Sequence, residues 1–275
     1  MSSRWRISTN EEWSCALHGR ILTLRQDTTH LHYKTTFPAY EAPLTPPSSN
    51  PASEFGAESA HDDTEALIKH YFNIVPNLTK LYKQWSAADP NFRKKAPKFT
   101  GVRILKQDAW EALVGFICSS NNNIIRISQM VDKLCRHYGR LIGYIGTDPY
   151  YDFPPPSALT STNVEQHLRE LGFGYRAKYL YQTAVMVVQK REWGWLDGLR
   201  NPECPRLGVE PFPAGEMLEG GREGYRRAHE QLLQLQGVGP KVADCVCLMG
   251  LGWGEAVPVD THGEIYRRSI SGPSC

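Results

Sequence analysis

Three short pieces rich in β-forming residues stand near the beginning of the chain, before any helical period is visible. They are Trp13–Leu17, Ile21–Leu24 and Leu31–Tyr33, and Gly19 falls in the break between the first two. Alternating polar and apolar residues between turn-forming breaks are typical of antiparallel strands. The pattern therefore predicts an antiparallel sheet over residues 5–35.

From Glu65 onwards, apolar residues recur at intervals of three and four, which is the period of an amphipathic helix. Asp108 with Glu111 resembles a capping box at the start of one helix, and Thr162 with Glu165 resembles one at the start of another. The predicted apolar faces comprise Leu67, Ile68, Tyr71 and Phe72 in the first helix, and Trp110, Leu113, Val114 and Ile117 in the helix after Asp108. Further helices are predicted over Ile124–Tyr138 up to Gly139, from the Thr162 cap to about Gly172, and from Tyr175 towards Lys190.

Two segments break every period and are predicted to be loops. Residues 37–63 are rich in proline, serine and alanine, and residues 200–222 carry many prolines and glycines. The whole pattern predicts an α+β fold in two domains. The first, at 1–96, holds a partial antiparallel sheet, the 37–63 loop and a helix, and the second, at 97–275, is mainly helical.

A helical hairpin at about 224–250 ends the predicted helical region. One amphipathic helix ends near Leu235, Gly237-Val238-Gly239 turns the chain, and Pro240 suits the first position of the next helix. The two glycines let backbone N–H groups approach an anion closely, and the dipole of the following helix favours that anion. A phosphate group therefore fits this turn.

Lys241 follows this turn and lies in the first turn of the second hairpin helix. A helix N-terminus carries roughly half a positive charge, so an ammonium group there is poorly placed for stability. A lysine kept against that cost could be a nucleophile that attacks carbon as the free amine. Spacing alone leaves a solvated lysine in an ordinary helical hairpin equally open.

The hairpin also belongs to a longer motif. The run Leu235-x-Gly-Val-Gly-x-Lys-Val-Ala-Asp-Cys, followed by Val257-Pro-Val-Asp260-x-His262, resembles the helix-hairpin-helix plus Gly/Pro/Asp signature of DNA base-excision glycosylases. Within that superfamily, the chain is most similar to the 8-oxoguanine DNA glycosylase/AP lyase family. Further matching blocks are Phe99–Leu105, Phe116–Arg126 and Leu171–Lys178. The resemblance covers most of residues 5–262 and implies excision of 8-oxoguanine opposite cytosine, with strand cleavage at the abasic site.

The resemblance implies catalytic roles for two residues of this motif. Lys241 would displace the base and form a Schiff base with the opened sugar, which permits β-elimination of the 3′ phosphate. Asp260 would stabilise the developing oxocarbenium charge and help to deprotonate the lysine, although aspartate is also a favoured helix N-cap. His262 matches a position that contacts backbone phosphate, and Cys245 matches one that lines the pocket for the flipped purine. A surface histidine and a packed core thiol would give the same sequence pattern.

Two other segments match positions that handle DNA in the family. Asn121 matches the residue that enters the space left by the flipped base, and Arg126 matches one that reads the unpaired cytosine. Tyr175 matches the wedge that buckles the duplex, and Arg176 matches the second cytosine reader. The planar donor fork of arginine suits base-edge acceptors. Without the family match, Asn121 would be interpreted as a turn residue and Tyr175 as a core residue.

Composition adds few limits on function. The chain has 275 residues, of which 41% are hydrophobic, and a net charge of only +2. Residues 93–140 hold ten Lys/Arg and three acidic residues, an excess that a solvated helix face would also explain. Seven cysteines without a C-x-x-C pair indicate buried thiols in a reducing compartment and lack the spacing of an iron–sulfur cluster. We therefore expect no metal and no cofactor.

The expected partner is double-stranded DNA that contains 8-oxoguanine or an abasic site. We expect the protein to act as a monomer in the nucleus, with mitochondria as a second compartment. No stretch of the sequence approaches the roughly 20 apolar residues of a membrane span, so no membrane contact is expected.

The chain departs from the family pattern at both ends. The family's first block carries a Ser-Gly-Gln-Ser-Phe-Arg-Trp element whose glycine carbonyl recognises oxidised guanine, whereas this chain begins Met1-Ser-Ser-Arg4-Trp5. The match also decays after His262, before the helices that supply the rest of the family's base pocket. We therefore expect a product truncated at both ends. Two alternatives stay open: a glycosylase of the endonuclease-III type for oxidised pyrimidines, and a DNA-binding product with impaired catalysis.

Overall fold

The structure is a computed structural model that describes residues 4–8, 10–38 and 62–259. Within these ranges, an antiparallel sheet comes first and a mainly helical region follows, which confirms the predicted α+β fold class. Most of the predicted 37–63 loop lies outside the described residues. Every helix in the described ranges is too short or too polar to cross a membrane.

The sheet has four strands in sequential order, each antiparallel to its neighbours. The strands are β1 (Arg6–Ile7), β2 (Trp13–Leu17), β3 (Arg20–Gln26) and β4 (Leu31–Thr36). Between β2 and β3, His18 and Gly19 form a two-residue turn in which both have positive φ, 48° and 74°. Such a turn matches the right-handed twist of paired strands. The predicted sheet and its break at Gly19 are confirmed.

Helix α1 (Thr64–Tyr71) packs on this sheet through the predicted apolar face. The buried cluster between them contains Leu67, Ile68 and Tyr71 of the helix and Leu17, Leu22 and Leu24 of the strands. Just before the helix, Asp63 accepts a 2.6 Å hydrogen bond from the Arg20 guanidinium. This ion pair fixes the point at which the chain enters α1.

The helical region contains a second and larger core. The helices of this region are α2 (Leu78–Ala88), α3 (Pro90–Lys95), α4 (Ala109–Ser119), α5 (Ile124–Tyr138), α6 (Val164–Glu170), α7 (Arg176–Val185), α8 (Glu223–Leu233) and α9 (Pro240–Met249). Of these, α2 and α3 contribute no buried residue to the core. A hairpin of β5 (Leu141–Ile145) and β6 (Asp148–Tyr151), which the sequence pattern did not predict, follows α5. A π-helical turn, Met186–Lys190, extends α7, and residues 200–222 form no helix or strand, as predicted.

Helix α4 lies at the centre of this core and contacts α5, α7 and α9. Eight of its residues are buried, including the predicted face of Trp110, Leu113, Val114 and Ile117. The predicted cap is half formed, because Asp108 accepts from the Glu111 N–H at 2.9 Å. The Glu111 carboxylate instead accepts a 2.7 Å hydrogen bond from Arg4, so the sheet region and α4 are joined by an ion pair. Burial raises the pKa of Glu111, and the Arg4 charge opposes that shift.

The predicted cap at Thr162 is wrong. Helix α6 begins at Val164 with Asn163 in the N-cap position, and no side chain there accepts a hydrogen bond from the helix. The Val164 N–H instead donates to the Ser161 carbonyl at 3.0 Å. A backbone turn therefore takes the place of the side-chain cap.

The two predicted caps should differ in their effect on stability. We expect Asp108→Ala to lower the free energy of unfolding by about 1 kcal/mol, because it removes an acceptor from the first turn of α4. Thr162→Ala is the matched control and should change it by less than about 0.5 kcal/mol. Urea denaturation followed by circular dichroism measures both changes, and equal losses would contradict the assignment of the caps.

Candidate active site

The helical hairpin consists of α8, the turn 234–239 and α9, and it has the predicted form. Pro240 is the first residue of α9, and Gly239 precedes it in an extended conformation. Gly237 has a φ of 77°, in the left-handed region that favours glycine. A Cβ on Gly237 would lie 2.5 Å from the ring of Tyr179 in α7. Gly237 is therefore required by both the turn and its close packing on α7.

Lys241 lies in the first turn of α9, as predicted, and its side chain is partly exposed. Its Nζ lies 5.9 Å from the centre of the Phe116 ring, which belongs to α4. Phe116 is buried, so α4 presents an aromatic face beneath the lysine. An amine that is partly exposed and stands on an apolar surface can be reached by an electrophilic carbon from solvent.

The other predicted residues of the hairpin motif fall into two groups. Cys245 lies one helical turn after Lys241 and is buried, with 5% of its surface exposed. Asp260 and His262 lie outside the described residues, so their roles stay predictions. The predicted role of Cys245 in a base pocket likewise stays a prediction.

The loop between α4 and α5 holds the second group of predicted residues. Asn121 is exposed and has a φ of 47°, an uncommon conformation for a residue other than glycine. Its neighbours have structural tasks. Asn122 donates to the Cys118 carbonyl at 2.9 Å, and Asn123 caps α5 by accepting from the Arg126 N–H at 2.9 Å. Among the described residues, the exposed side chain of Asn121 has no such hydrogen bond, in contrast to those of Asn122 and Asn123.

The loop before α7 stands directly beside this one. Gly172 and Gly174 both have positive φ, 91° and 58°, and Tyr175 follows with 46% of its surface exposed. The Tyr175 hydroxyl donates to the Ser120 carbonyl at 3.2 Å. The structure therefore brings together Asn121 and Tyr175, which are far apart in sequence.

The two predicted arginines lie in the same cluster but differ in exposure. Arg126 is exposed and donates to the Gly172 carbonyl at 3.3 Å. Arg176 is buried, with its guanidinium carbon 4.5 Å from the centre of the Tyr175 ring, and it donates to the carbonyls of Ser120 and Asn121. Their predicted contacts with a cytosine stay predictions.

Tyr179 connects the hairpin to this cluster, and sequence reasoning did not single it out. Its ring packs edge-on against Tyr175 at 5.6 Å between centroids, and it also faces Gly237. On the same helix, the Thr183 hydroxyl donates to the Gln236 carbonyl at 3.3 Å. The available signal was helical spacing, because positions 175, 179 and 183 share one face of α7.

A polar contact between the two hairpin helices was also missed. The Tyr225 hydroxyl of α8 donates to Asp244 of α9 at 2.7 Å, and His229 lies 3.4 Å from the same carboxylate oxygen. Burial raises the pKa of Tyr225, and the hydrogen bond to Asp244 adds to that shift. Since Asp244 lies three residues after Lys241, these contacts help to fix the helix that carries the lysine.

The buried thiols near the site are poor nucleophiles. Burial raises the pKa of Cys118 to about 12, and it raises the pKa of Cys247 as well. The nucleophilic form of cysteine is the thiolate, which these groups do not reach at neutral pH. Among the described residues near the hairpin turn, the amine of Lys241 is the better candidate for attack on carbon.

Comparison with known proteins assigns both parts of the chain. Residues 1–113 match the family model described as the N-terminal domain of 8-oxoguanine DNA glycosylase. Residues 114–265 match the model described as the HhH-GPD superfamily base excision DNA repair protein. These two matches meet within α4, the helix that carries Phe116.

Two curated relatives cover most of this chain. The N-glycosylase/DNA lyase of Saccharomyces cerevisiae is 41% identical over 217 residues, which are 78% of this chain and 54% of the yeast protein. The N-glycosylase/DNA lyase OGG1 of Arabidopsis thaliana is 36% identical over 203 residues, 72% of this chain and 48% of the plant protein. The chain thus spans about half the length of these relatives.

A solved structure shares the fold. The 8-oxoguanine glycosylase/lyase of Clostridium acetobutylicum, in complex with double-stranded DNA containing cytosine opposite 8-oxoguanine, superposes with a TM-score of 0.71. It is 23% identical, and the alignment covers 98% of this chain and 76% of that chain. The two proteins therefore share an overall fold.

Proposed function

Since the chain belongs to the HhH-GPD superfamily of base excision DNA repair proteins, we propose that it removes 8-oxoguanine opposite cytosine and cleaves the strand as an AP lyase. The observation that carries this proposal is the position of Lys241. It is a partly exposed amine at the start of α9, directly after a glycine turn and above the ring of Phe116. The names of the yeast and plant relatives support the same pair of activities.

The chemistry begins with the free amine of Lys241. Its lone pair attacks C1′ of the damaged nucleotide, a C–N bond to the lysine forms, and the glycosidic bond breaks as the base leaves with a proton. The sugar ring then opens to give a protonated Schiff base. Loss of a proton from C2′ expels the 3′ phosphate, and water later releases the lysine. Each step uses an amine and no redox partner.

Asp260 and His262 are proposed to complete the catalytic site, because they belong to the motif that this chain shares with the family. A carboxylate beside the sugar stabilises positive charge that develops as the base leaves. A histidine two residues later can donate a hydrogen bond to a backbone phosphate. Cys245, buried one turn after Lys241, is proposed to line the pocket for the extruded base.

The cluster that contains Asn121 and Tyr175 is proposed to open the duplex. A glycosylase must extrude its target nucleotide and hold the gap open. Asn121 projects into solvent from its loop, and the half-exposed ring of Tyr175 stands beside it. Gly237 and Gly239 place backbone N–H groups at the start of α9, where a phosphate is favoured. The proposed partner is therefore double-stranded DNA that contains 8-oxoguanine or an abasic site.

Borohydride trapping on a duplex with one abasic site tests the lyase chemistry, because only a Schiff-base intermediate is reduced to a covalent adduct. We expect a trapped complex and cleavage of the strand. Cleavage assays with 8-oxoguanine, thymine glycol and abasic duplexes then identify the lesion, and we expect excision of 8-oxoguanine over thymine glycol. A preference for thymine glycol would favour an enzyme of the endonuclease-III type. Duplex binding without any trapping would indicate a DNA-binding protein and would contradict the proposal.

A further inference from the structure

Arg176 is a buried cation at the start of α7, with 3% of its surface exposed. Its Nη2 donates to the carbonyl of Ser120 and, at 3.1 Å, to the carbonyl of Asn121. Its buried Nε has no hydrogen-bond partner in the described part of the chain. Burial of a guanidinium is unfavourable unless its donors are used, so the two carbonyl contacts are what this arginine gains from its position.

These two carbonyls belong to the peptide groups on either side of Asn121. The Ser120 carbonyl lies in the peptide that precedes Asn121, and the Asn121 carbonyl lies in the peptide that follows it. Rotation about φ or ψ of Asn121 turns one of these groups relative to the other. Because Nη2 of Arg176 contacts both carbonyls, it restrains the orientation of these two peptide groups relative to each other. A φ of 47° is uncommon, although asparagine tolerates it better than most residues with a side chain, so these contacts add to the stability of this loop conformation.

We propose that Arg176 is a positioning residue for Asn121. Arg176 fixes the loop conformation that presents the Asn121 side chain. This role is additional to the contact with the opposite base that the family resemblance implies for Arg176. The Tyr175 hydroxyl, which donates to the Ser120 carbonyl at 3.2 Å, supports the same peptide group. This inference rests on the proposed function for its consequence in catalysis, but the loop support itself exists without DNA.

Arg126 differs from Arg176 in this respect. Arg126 is exposed, and within the described residues its guanidinium donates to the Gly172 carbonyl rather than to the peptides of Asn121. Removal of the Arg126 side chain should therefore leave the conformation of Asn121 intact. The two arginines, which the sequence pattern treats as equivalent base readers, should separate in experiment.

Hydrogen exchange of the free protein tests the loop support directly. We expect Arg176→Gln to speed amide exchange in residues 119–126 by roughly 10-fold, because local opening of that loop becomes easier. Arg126→Gln should leave exchange at Asn121 and Asn122 near wild type. Lys178→Gln removes an exposed charge from α7, the helix that begins with Arg176. It is the control and should leave exchange in residues 119–126 unchanged. Unchanged exchange in the Arg176 variant would overturn the proposal.

Single-turnover excision on duplexes with cytosine, thymine, guanine or adenine opposite the lesion tests the consequence. We expect Arg176→Gln to lower the rate opposite every base by at least about 10-fold, because Asn121 is mispositioned whatever it faces. Arg126→Gln should mainly reduce the preference for cytosine over the other three bases. A loss in the Arg176 variant that is confined to cytosine would show a base reader only and would overturn the positioning role.

A conservative variant guards against a folding defect. Arg176→Lys keeps the charge and most of the stem, but its side chain ends one bond short of the Nη2 atom that makes both contacts, so this variant should keep the wild-type far-ultraviolet circular dichroism without restoring slow exchange. Full rescue of both the exchange and the excision rates by lysine would show that a positive charge at this position is sufficient, and it would contradict the need for a guanidinium that reaches both carbonyls. If the wild-type chain excises no lesion, the proposed function fails, whereas the exchange data still decide whether Arg176 supports the loop.

Discussion

Replacement of Lys241 by glutamine is expected to abolish base removal and covalent trapping while duplex binding stays measurable. Glutamine is polar and only one atom shorter than lysine, but it has no basic amine, so neither attack on C1′ nor a Schiff base can occur. The backbone N–H groups of the glycine turn, which are proposed to bind phosphate, are unchanged by this substitution. Excision, borohydride trapping and a binding titration at one fixed salt concentration measure the three properties.

Lys178→Gln is the matched control for this experiment. It removes one positive charge from an exposed position near the same cluster, so it reveals how much of any loss comes from charge alone. We expect trapping and excision by this variant to stay near the wild-type level. Trapping by the Lys241 variant at wild-type yield would contradict the assignment and would show that another amine does the chemistry.

Substitution of Gly237 by alanine is expected to lower the free energy of unfolding by about 2 kcal/mol or more. An alanine at a φ of 77° is strained, and its Cβ would stand 2.5 Å from the Tyr179 ring, so either the turn or α7 must move. Since the turn carries Lys241 into place, excision should fall further than stability alone requires. Thermal or urea unfolding gives the first quantity, and single-turnover rates on the folded fraction give the second.

Gly239 supplies a closely matched comparison. A Cβ on Gly239 would meet no heavy atom of the described residues within 4 Å apart from its own chain neighbours, and the backbone there is extended. Gly239→Ala should therefore change the free energy of unfolding by less than about 0.5 kcal/mol, although it can weaken DNA binding if a phosphate approaches that backbone. Equal destabilisation by the two alanines would contradict the packing of the turn on Tyr179. A double variant with Tyr179→Ala should be less destabilised than the sum of the single variants.

Much of the fold could be predicted because local signals agree with the tertiary structure. Helix α5 has the predicted bounds, Ile124–Tyr138, since Asn123 caps it and its apolar residues keep one period throughout. The hairpin could be predicted for the same reason: Gly237 permits the positive φ of the turn, and Pro240 suits the first position of α9. In these elements, the residues that fix the local conformation are neighbours in sequence.

The remaining features could not be predicted, for a different physical reason in each case. The β5–β6 hairpin is short and contains the β-bulge between Leu141 and Gly143, so it shows little alternation. Thr162 fits the capping pattern, but the N–H of Val164 at the start of α6 donates to the Ser161 carbonyl instead of to a side chain. The burial of Arg176 could not be predicted, because arginine is usually exposed and its acceptors lie 55 and 56 positions away in the chain.

The burial of several cysteines should protect the protein under the oxidising conditions that would create its proposed substrate. Guanine is oxidised when a cell contains reactive oxygen species, and peroxides attack cysteine as the thiolate. Burial raises the pKa of Cys15, Cys118 and Cys135 to about 12, so these three groups stay protonated and shielded. A repair enzyme built in this way would keep its core chemically intact during oxidative stress, when the need for its activity is greatest.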